Sequence, residues 1–174
     1  MNFLEIRRRL LSANNDYNLI NAEKLAELII SYKGKFTAEI VEVDGRRCIK
    51  YYNSTTHQKN LTACCQPFKE KTRYIFSFEA RPSTIVPEDN QYSGNLMFGF
   101  KPSGTFTSTP YALSGKTTTD FTRVYTISGK DKTVTDIDLY YGSVHYWLID
   151  LDTVCLYEYD KFLELGGTSI WEEK

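Results

Sequence analysis

The sequence predicts a mainly β protein, an antiparallel sandwich or barrel preceded by a short helical N-terminal arm. Three observations carry this: many short segments of alternating polarity after Lys35, turn signals at intervals of roughly 8–12 residues between them, and two helical patterns confined to the start of the chain. The 174 residues suffice for one domain, since domains commonly run ~100–200 residues. The expected division is a helical arm over 1–16 and a sandwich over 17–174 carrying one short helix at about 22–32.

In the first helical pattern Phe3, Leu4, Ile6, Leu10 and Leu11 recur at 3–4 spacing, with Arg7, Arg8 and Arg9 largely opposite. In the second, Asn21 is a candidate N-cap, Glu23 lies in the first turn, Leu25, Leu28 and Ile29 form the stripe, and Gly34 ends it. Ser12–Tyr17 is polar and turn-like, so the first helix reads as separable.

Candidate strands are 36–43, 47–53, 60–66, 72–81, 95–101, 121–128, 134–141, 144–150 and 153–159. Asp44-Gly45, the 53–57 cluster, Pro67, Gly129–Asp131 and Gly142-Ser143 mark turns. Tyr74, Phe76, Phe78 and Ala80 share one side of their strand; Leu96, Phe98 and Phe100 align on the next; Ile137 and Leu139 oppose Asp136, Asp138 and Tyr140. Half-buried strands of two packed layers give this pattern. The Pro82–Gly94 and Pro102–Asp120 connections are long and rich in Pro, Ser, Thr and Gly.

Composition excludes several functions. Net charge is −1, against the basic excess of a phosphate-neutralising nucleic-acid binder. No apolar run reaches the ~18–20 residues of a membrane span. Ser114-Gly115-Lys116-Thr117 ends like a phosphate loop, but Pro110 stands where that loop needs Gly. The start of the chain lacks the continuous apolar stretch of a secretory signal, which predicts folding in the cytoplasm. The four cysteines form no Cys-x-x-Cys pair, and Cys64 and Cys65 on an extended strand face opposite ways, so no zinc site is expected. Asp150 and Asp152, two apart on a strand, could share one divalent ion, but too few further ligands are evident to predict a metal or cofactor. No nucleophile or acid–base constellation appears, so no enzyme is expected.

Charge is unevenly spread: residues 1–130 hold 18 basic and 12 acidic side chains, residues 131–174 hold 3 and 10. Opposite potentials can steer association between copies, although a solvated acidic face is the simpler reading.

The best candidate site is the aromatic stretch Tyr140–Trp147, since rings on a sheet can stack on sugar faces while carboxylates and guanidinium groups engage hydroxyls. Alternation puts Val144, Tyr146 and Leu148 on the core face and leaves His145 and Trp147 outward, with Tyr140 beside Asp138. Arg123 and Glu79 complete the candidate glycan set.

Tyr74–Arg81, Phe121–Thr126, Trp147–Glu158, Asn18–Ile20 and Val43–Ile49 resemble strands of carbohydrate-binding-module-like jelly rolls, in versions found in minor structural tail or fibre proteins of bacteriophages and prophages. The resemblance spans roughly residues 18–159. It implies a non-catalytic jelly-roll sandwich that is either a virion building block, with partners among other virion proteins, copies of itself and cell-surface glycan, or a soluble carbohydrate-binding module recognising polysaccharide on a sheet face. In such relatives a closing-strand aspartate lies near a structural calcium, which maps to Asp150. Arg7, Arg8, Arg9, Leu10 and Leu11 would then dock the arm on a neighbouring subunit.

Overall fold

Asp44 and Gly45 adopt φ of 53° and 71°, the two positive angles of a type I′ turn, and so join two strands as a tight hairpin. These are β1 (Phe36–Val43) and β2 (Arg46–Asn53), paired in register from Phe36–Asn53 to Val43–Arg46. The computed structural model describes residues 3–31, 36–53, 57–82, 96–101, 106–108, 120–141 and 147–167. The other strands are β3 (His57–Asn60), β4 (Tyr74–Pro82), β5 (Leu96–Lys101), β6 (Phe106–Ser108), β7 (Thr122–Ile127), β8 (Asp136–Tyr141) and β9 (Trp147–Glu158). The helices are α1 (Phe3–Leu10), α2 (Ala22–Ser31) and α3 (Tyr159–Glu164).

The sheets run β1-β2-β9-β4-β7 and β3-β8-β5-β6, and every paired strand is antiparallel. With β1 set aside as an added edge, the eight strands form two four-stranded layers, the count of a jelly roll, and the chain changes layer at each step except from β5 to β6, which pair with each other. The expected fold class is therefore the observed one.

Alternation builds the core. Tyr74, Phe76, Phe78 and Ala80 of β4 point inward against Phe98 and Phe100 of β5 and Ile137 and Leu139 of β8. Phe98 is the hub, its ring centroid 4.8 Å from Phe78 and 5.9 Å from Phe76. Such side chains stabilise by about 1.5–3 kcal/mol each on burial. Asn21 caps α2, its Oδ1 accepting from the Lys24 amide at 2.9 Å. The helix buries Leu25, Ala26 and Ile29 against the sandwich.

Two predicted elements differ. The predicted 60–66 strand does not form: β3 ends at Asn60, and a 3₁₀ turn follows at Thr62–Cys64. Asn60 Oδ1 accepts from the Thr62 amide at 3.0 Å, a local bond that turns the chain out of the ladder. Cys64 and Cys65 accordingly do not alternate along a strand. The predicted 144–150 and 153–159 strands are one, β9, interrupted by a bulge. Glu79 pairs with Asp150 and Ser77 with Cys155, so Leu151–Val154 stand opposite Phe78 alone.

The first helix is not free of the sandwich. Leu10 is 4% exposed and packs with Ile75, Cys155, Tyr157 and Phe162, with Leu11 beside them. This second apolar cluster covers one end of the outer face of the five-stranded sheet, under α1 and α3. Beyond it, Ala13 N donates to Asp152 O at 2.7 Å and Leu19 N to Leu156 O at 2.8 Å. The segment after α1 thus takes over the side of β9 that β2 leaves at Asp150.

Candidate functional site

The bulge in β9 sets the geometry. Thr153 Oγ1 accepts from the Glu79 amide and donates to the Asp150 carbonyl, both at 2.8 Å. Arg123 Nη1 donates to the Thr153 carbonyl at 2.7 Å and Nη2 to the Leu11 carbonyl at 2.9 Å. The three extra residues are thereby locked, and Asp150 is held on the outer face in one row with Cys48, Glu79 and Arg123.

On this row Arg46, from the β1–β2 hairpin, donates through Nη1 to Glu79 and, at 2.7 Å, to Asp150 Oδ2. Its guanidinium carbon lies 4.5 Å from the Phe121 ring centroid, and that of Arg81 lies 5.2 Å from the same ring. Arg81 Nη2 donates to Asp44 Oδ2 at 3.0 Å. The hairpin, β4, β9 and the residue preceding β7 thus converge on two guanidinium groups, three carboxylates and a half-buried ring. The Arg46 side chain is 38% exposed, Glu79 22% and Asp150 6%. The cluster therefore opens to solvent at Arg46 and closes at Asp150.

Electrostatics follow burial. Burial raises the Asp150 carboxyl above its ordinary value, partly opposed by the Arg46 hydrogen bond. The Glu79 hydrogen bond raises Arg46 despite partial desolvation. Beneath them Cys48 is pushed up to about 11, chiefly by burial, so it stays a thiol at neutral pH. Arg81 Nε, Arg123 Nε and Trp147 Nε1 are buried with no acceptor among the described residues.

The expected site residues fall in separate places. Glu79 and Arg123 are neighbours on the outer face of the five-stranded sheet, but Arg123 gives its guanidinium to backbone carbonyls and the Ser77 hydroxyl. It positions the bulge and is not presented to a ligand; burial lowers its pKa. Trp147 is 1% exposed in the main core, beside Ile149 and Leu151, and Leu148 is the residue on the outer face. The predicted facing is reversed, because β9 is central in its sheet and apolar on both sides. Asp138 is 1% exposed, paired with Lys101 at 3.0 Å. Tyr140 pairs with Gln58 and Met97 in the other sheet. His145 lies outside the described residues, as does the Arg7 side chain; Arg8 and Arg9 are exposed on α1.

Asp150 and Asp152 do not converge on one ion. The bulge separates them: Asp150 faces Arg46, and Asp152 Oδ1 accepts from Arg47 Nη2 at 2.9 Å. Among the described residues no group of three His, Cys, Asp or Glu side chains could hold a metal, and no helix is long and apolar enough to cross a membrane.

Arg46, Arg81 and Phe121 were not singled out from the sequence. The outward alternation of Glu79 and Arg81 along β4 was the available signal; Arg46 opens β2 and Phe121 immediately precedes β7, positions where alternation says least.

No family model matches the chain, and no curated protein matches it. Among solved structures, it is similar to a carbohydrate-binding module of Cellvibrio mixtus lichenase 5A in complex with cellotriose, at 10% identity and a TM-score of 0.47 over 81% of this chain and 96% of that one. It is also similar to the C-terminal CBM6 of LamC from Zobellia galactanivorans, at 16% identity and a TM-score of 0.42 over 75% of this chain and 92% of that one. At these scores neither likeness bears on a ligand or a site.

Proposed function

We propose that the chain is a non-enzymatic glycan-binding jelly roll whose ligand engages the Arg46–Glu79–Asp150 cluster on the outer face of the five-stranded sheet. One observation carries the reading: a single half-exposed guanidinium bridges two carboxylates directly beside an aromatic ring. Such a group offers donors and acceptors together, which suits the hydroxyls of a sugar, and the ring supplies an apolar surface. The signs nearly balance, with Arg46 and Arg81 against Glu79, Asp150 and Asp44, which favours a polyhydroxylated ligand over a strongly ionic one. Arg46 occupies both carboxylates, so the arrangement holds hydroxyls rather than delivering a proton to a leaving group.

The test is a glycan array probed with the full chain, followed by titration of any hit. Glu79→Gln and Arg46→Lys keep size while weakening the charge pair and the planar fork respectively. Each is expected to lower affinity about tenfold, ~1.4 kcal/mol, with the fold intact by circular dichroism. A wild-type chain that binds no glycan, or variants that bind as tightly as wild type, would overturn the reading.

A second reading places the chain in a virion as a structural subunit contacting other virion proteins and copies of itself. The exposure of Arg8 and Arg9 on α1 favours it. It ranks second because Leu10, meant for docking, is packed into the chain's own second core.

A further inference from the structure

The loop after α1 is built as a rigid crest. Asn18 bonds at both ends of its amide: Nδ2 donates to the Ala13 and Val154 carbonyls at 2.9 Å each, and Oδ1 accepts from the Leu156 amide at 2.9 Å. Asn15 does the same, Nδ2 donating to the Ser12 carbonyl at 2.7 Å and the Tyr157 hydroxyl at 2.6 Å while Oδ1 accepts from the Tyr17 amide at 3.0 Å. Two amides tied to β9 therefore fix the loop, and what it lifts into solvent is Asn14, Asp16 and Tyr17.

A trough runs along each side of this crest. One, of about 560 Å³, has Leu10 and Leu165 among its walls and is edged by Arg9, Asp16, Tyr17 and Glu164. The other, of about 630 Å³, is lined mainly by polar groups, including Lys24, Arg47, Gln66 and Asp152. Asn14, Asn15 and Asp16 belong to both. Each is within the few hundred Å³ usual for ligand pockets. Tyr17 is 48% exposed, and the ammonium of Lys161 lies 5.2 Å from its ring centroid.

We propose that this crest and its two troughs form a binding site for an extended neutral oligosaccharide, separate from the Arg46 cluster. Three features select that ligand class. An exposed, preorganised tyrosine beside apolar leucines gives a sugar ring something to stack on at little ordering cost. Donors and acceptors of both signs border the troughs, so neither a polyanion nor a polycation is favoured. The troughs meet at the crest, so a ligand longer than one ring contacts both, whereas a small ligand fills only one. The site does not depend on the Arg46 cluster binding sugar.

The test uses cellohexaose, laminarihexaose and xylohexaose as probes, titrated into the full chain by calorimetry and by amide NMR shifts. The expected result is binding of at least one hexaose, with shifts at residues 14–17 and 164–165. Tyr17→Ala should weaken that binding about tenfold, ~1.4 kcal/mol. Tyr17→Phe should stay within about twofold, and Tyr17→Ala should melt with wild type because its half-exposed ring belongs to neither apolar cluster. Trioses should bind more weakly than hexaoses. The proposal is overturned if no hexaose binds at about 10 mM, weaker than any useful affinity. It is equally overturned if Tyr17→Ala binds as wild type does, or if the affected amides are those of β2 and β4 alone.

Discussion

Thr153→Val is the sharpest test of the account of β9. Valine matches threonine in shape and removes only the hydroxyl that accepts from the Glu79 amide and donates to the Asp150 carbonyl, both at 2.8 Å. This hydroxyl bridges β4 and β9 where the two strands lose register. An unpaired, partly buried backbone group costs about 1–3 kcal/mol. Two such groups, less the ~0.8 kcal/mol gained by an extra buried methyl, give a loss of about 3 kcal/mol. For a chain of this length each kcal/mol moves the melting temperature by about 2–4 °C, so thermal denaturation should show a fall of about 6–12 °C. Thr153→Ser keeps both bonds and loses one methyl, for a fall of about 2–4 °C. If valine melted within 2 °C of wild type, or serine were as damaging as valine, the hydroxyl would not be what locks the bulge.

Trp147→Ala should cost about 3–5 kcal/mol, as for a large core side chain, seen as a melting temperature lower by well over 6 °C; a small change would return Trp147 to the surface as a ligand residue. Acid stability should show two opposed limbs. Asp136 is held below its ordinary 3.8 by bonds from Thr135 and Asn60, so its contribution exists above that value and is lost as pH falls through the folded one, and Asp136→Asn should flatten that loss. Asp150 is raised by burial, so its contribution exists below 3.8 and is lost as pH rises through the folded value. Asp150→Asn should therefore gain on wild type across that rise when melting is followed from pH 3 to 8; a difference independent of pH would refute the assignment.

Alternation made the core legible wherever one face of a strand is polar. Tyr74, Phe76 and Phe78 alternate with Ser77 and Glu79, and their inward side is evident before any coordinates. The same rule misplaced Trp147. Around it both faces are apolar: Trp147 and Ile149 turn toward the opposing sheet, while Leu148 is buried on the other face, its strand lying between β2 and β4. The break between two predicted strands came from Asp150-Leu151-Asp152-Thr153, whose polarity reads as a turn; a bulge with its polar groups bonded in place has the same composition. Helical spacing found α1 but said nothing of where Leu10 goes, since its partners Ile75 and Tyr157 are far away in sequence. Arg123 was legible as an outward strand residue. Its acceptor on Leu11, 112 residues away, is a tertiary fact that no local pattern encodes.

The bulge that joined two predicted strands also ties the two proposed surfaces together. Three extra residues in β9 push its chain away from β2, and the gap is filled by the segment after α1, with Ala13 on Asp152 and Asn18 on Val154 and Leu156. One side of the bulge aims Asp150 at Arg46; the other supplies the carbonyls that anchor the crest bearing Tyr17. Arg123 touches both, through Thr153 and Leu11. Losing that guanidinium would free the bulge and the crest together, so Arg123→Met should lower affinity at either surface while contacting no ligand at all. A β9 without its bulge would continue the ladder with β2, leaving the crest without its anchors and Asp150 without its fixed aim.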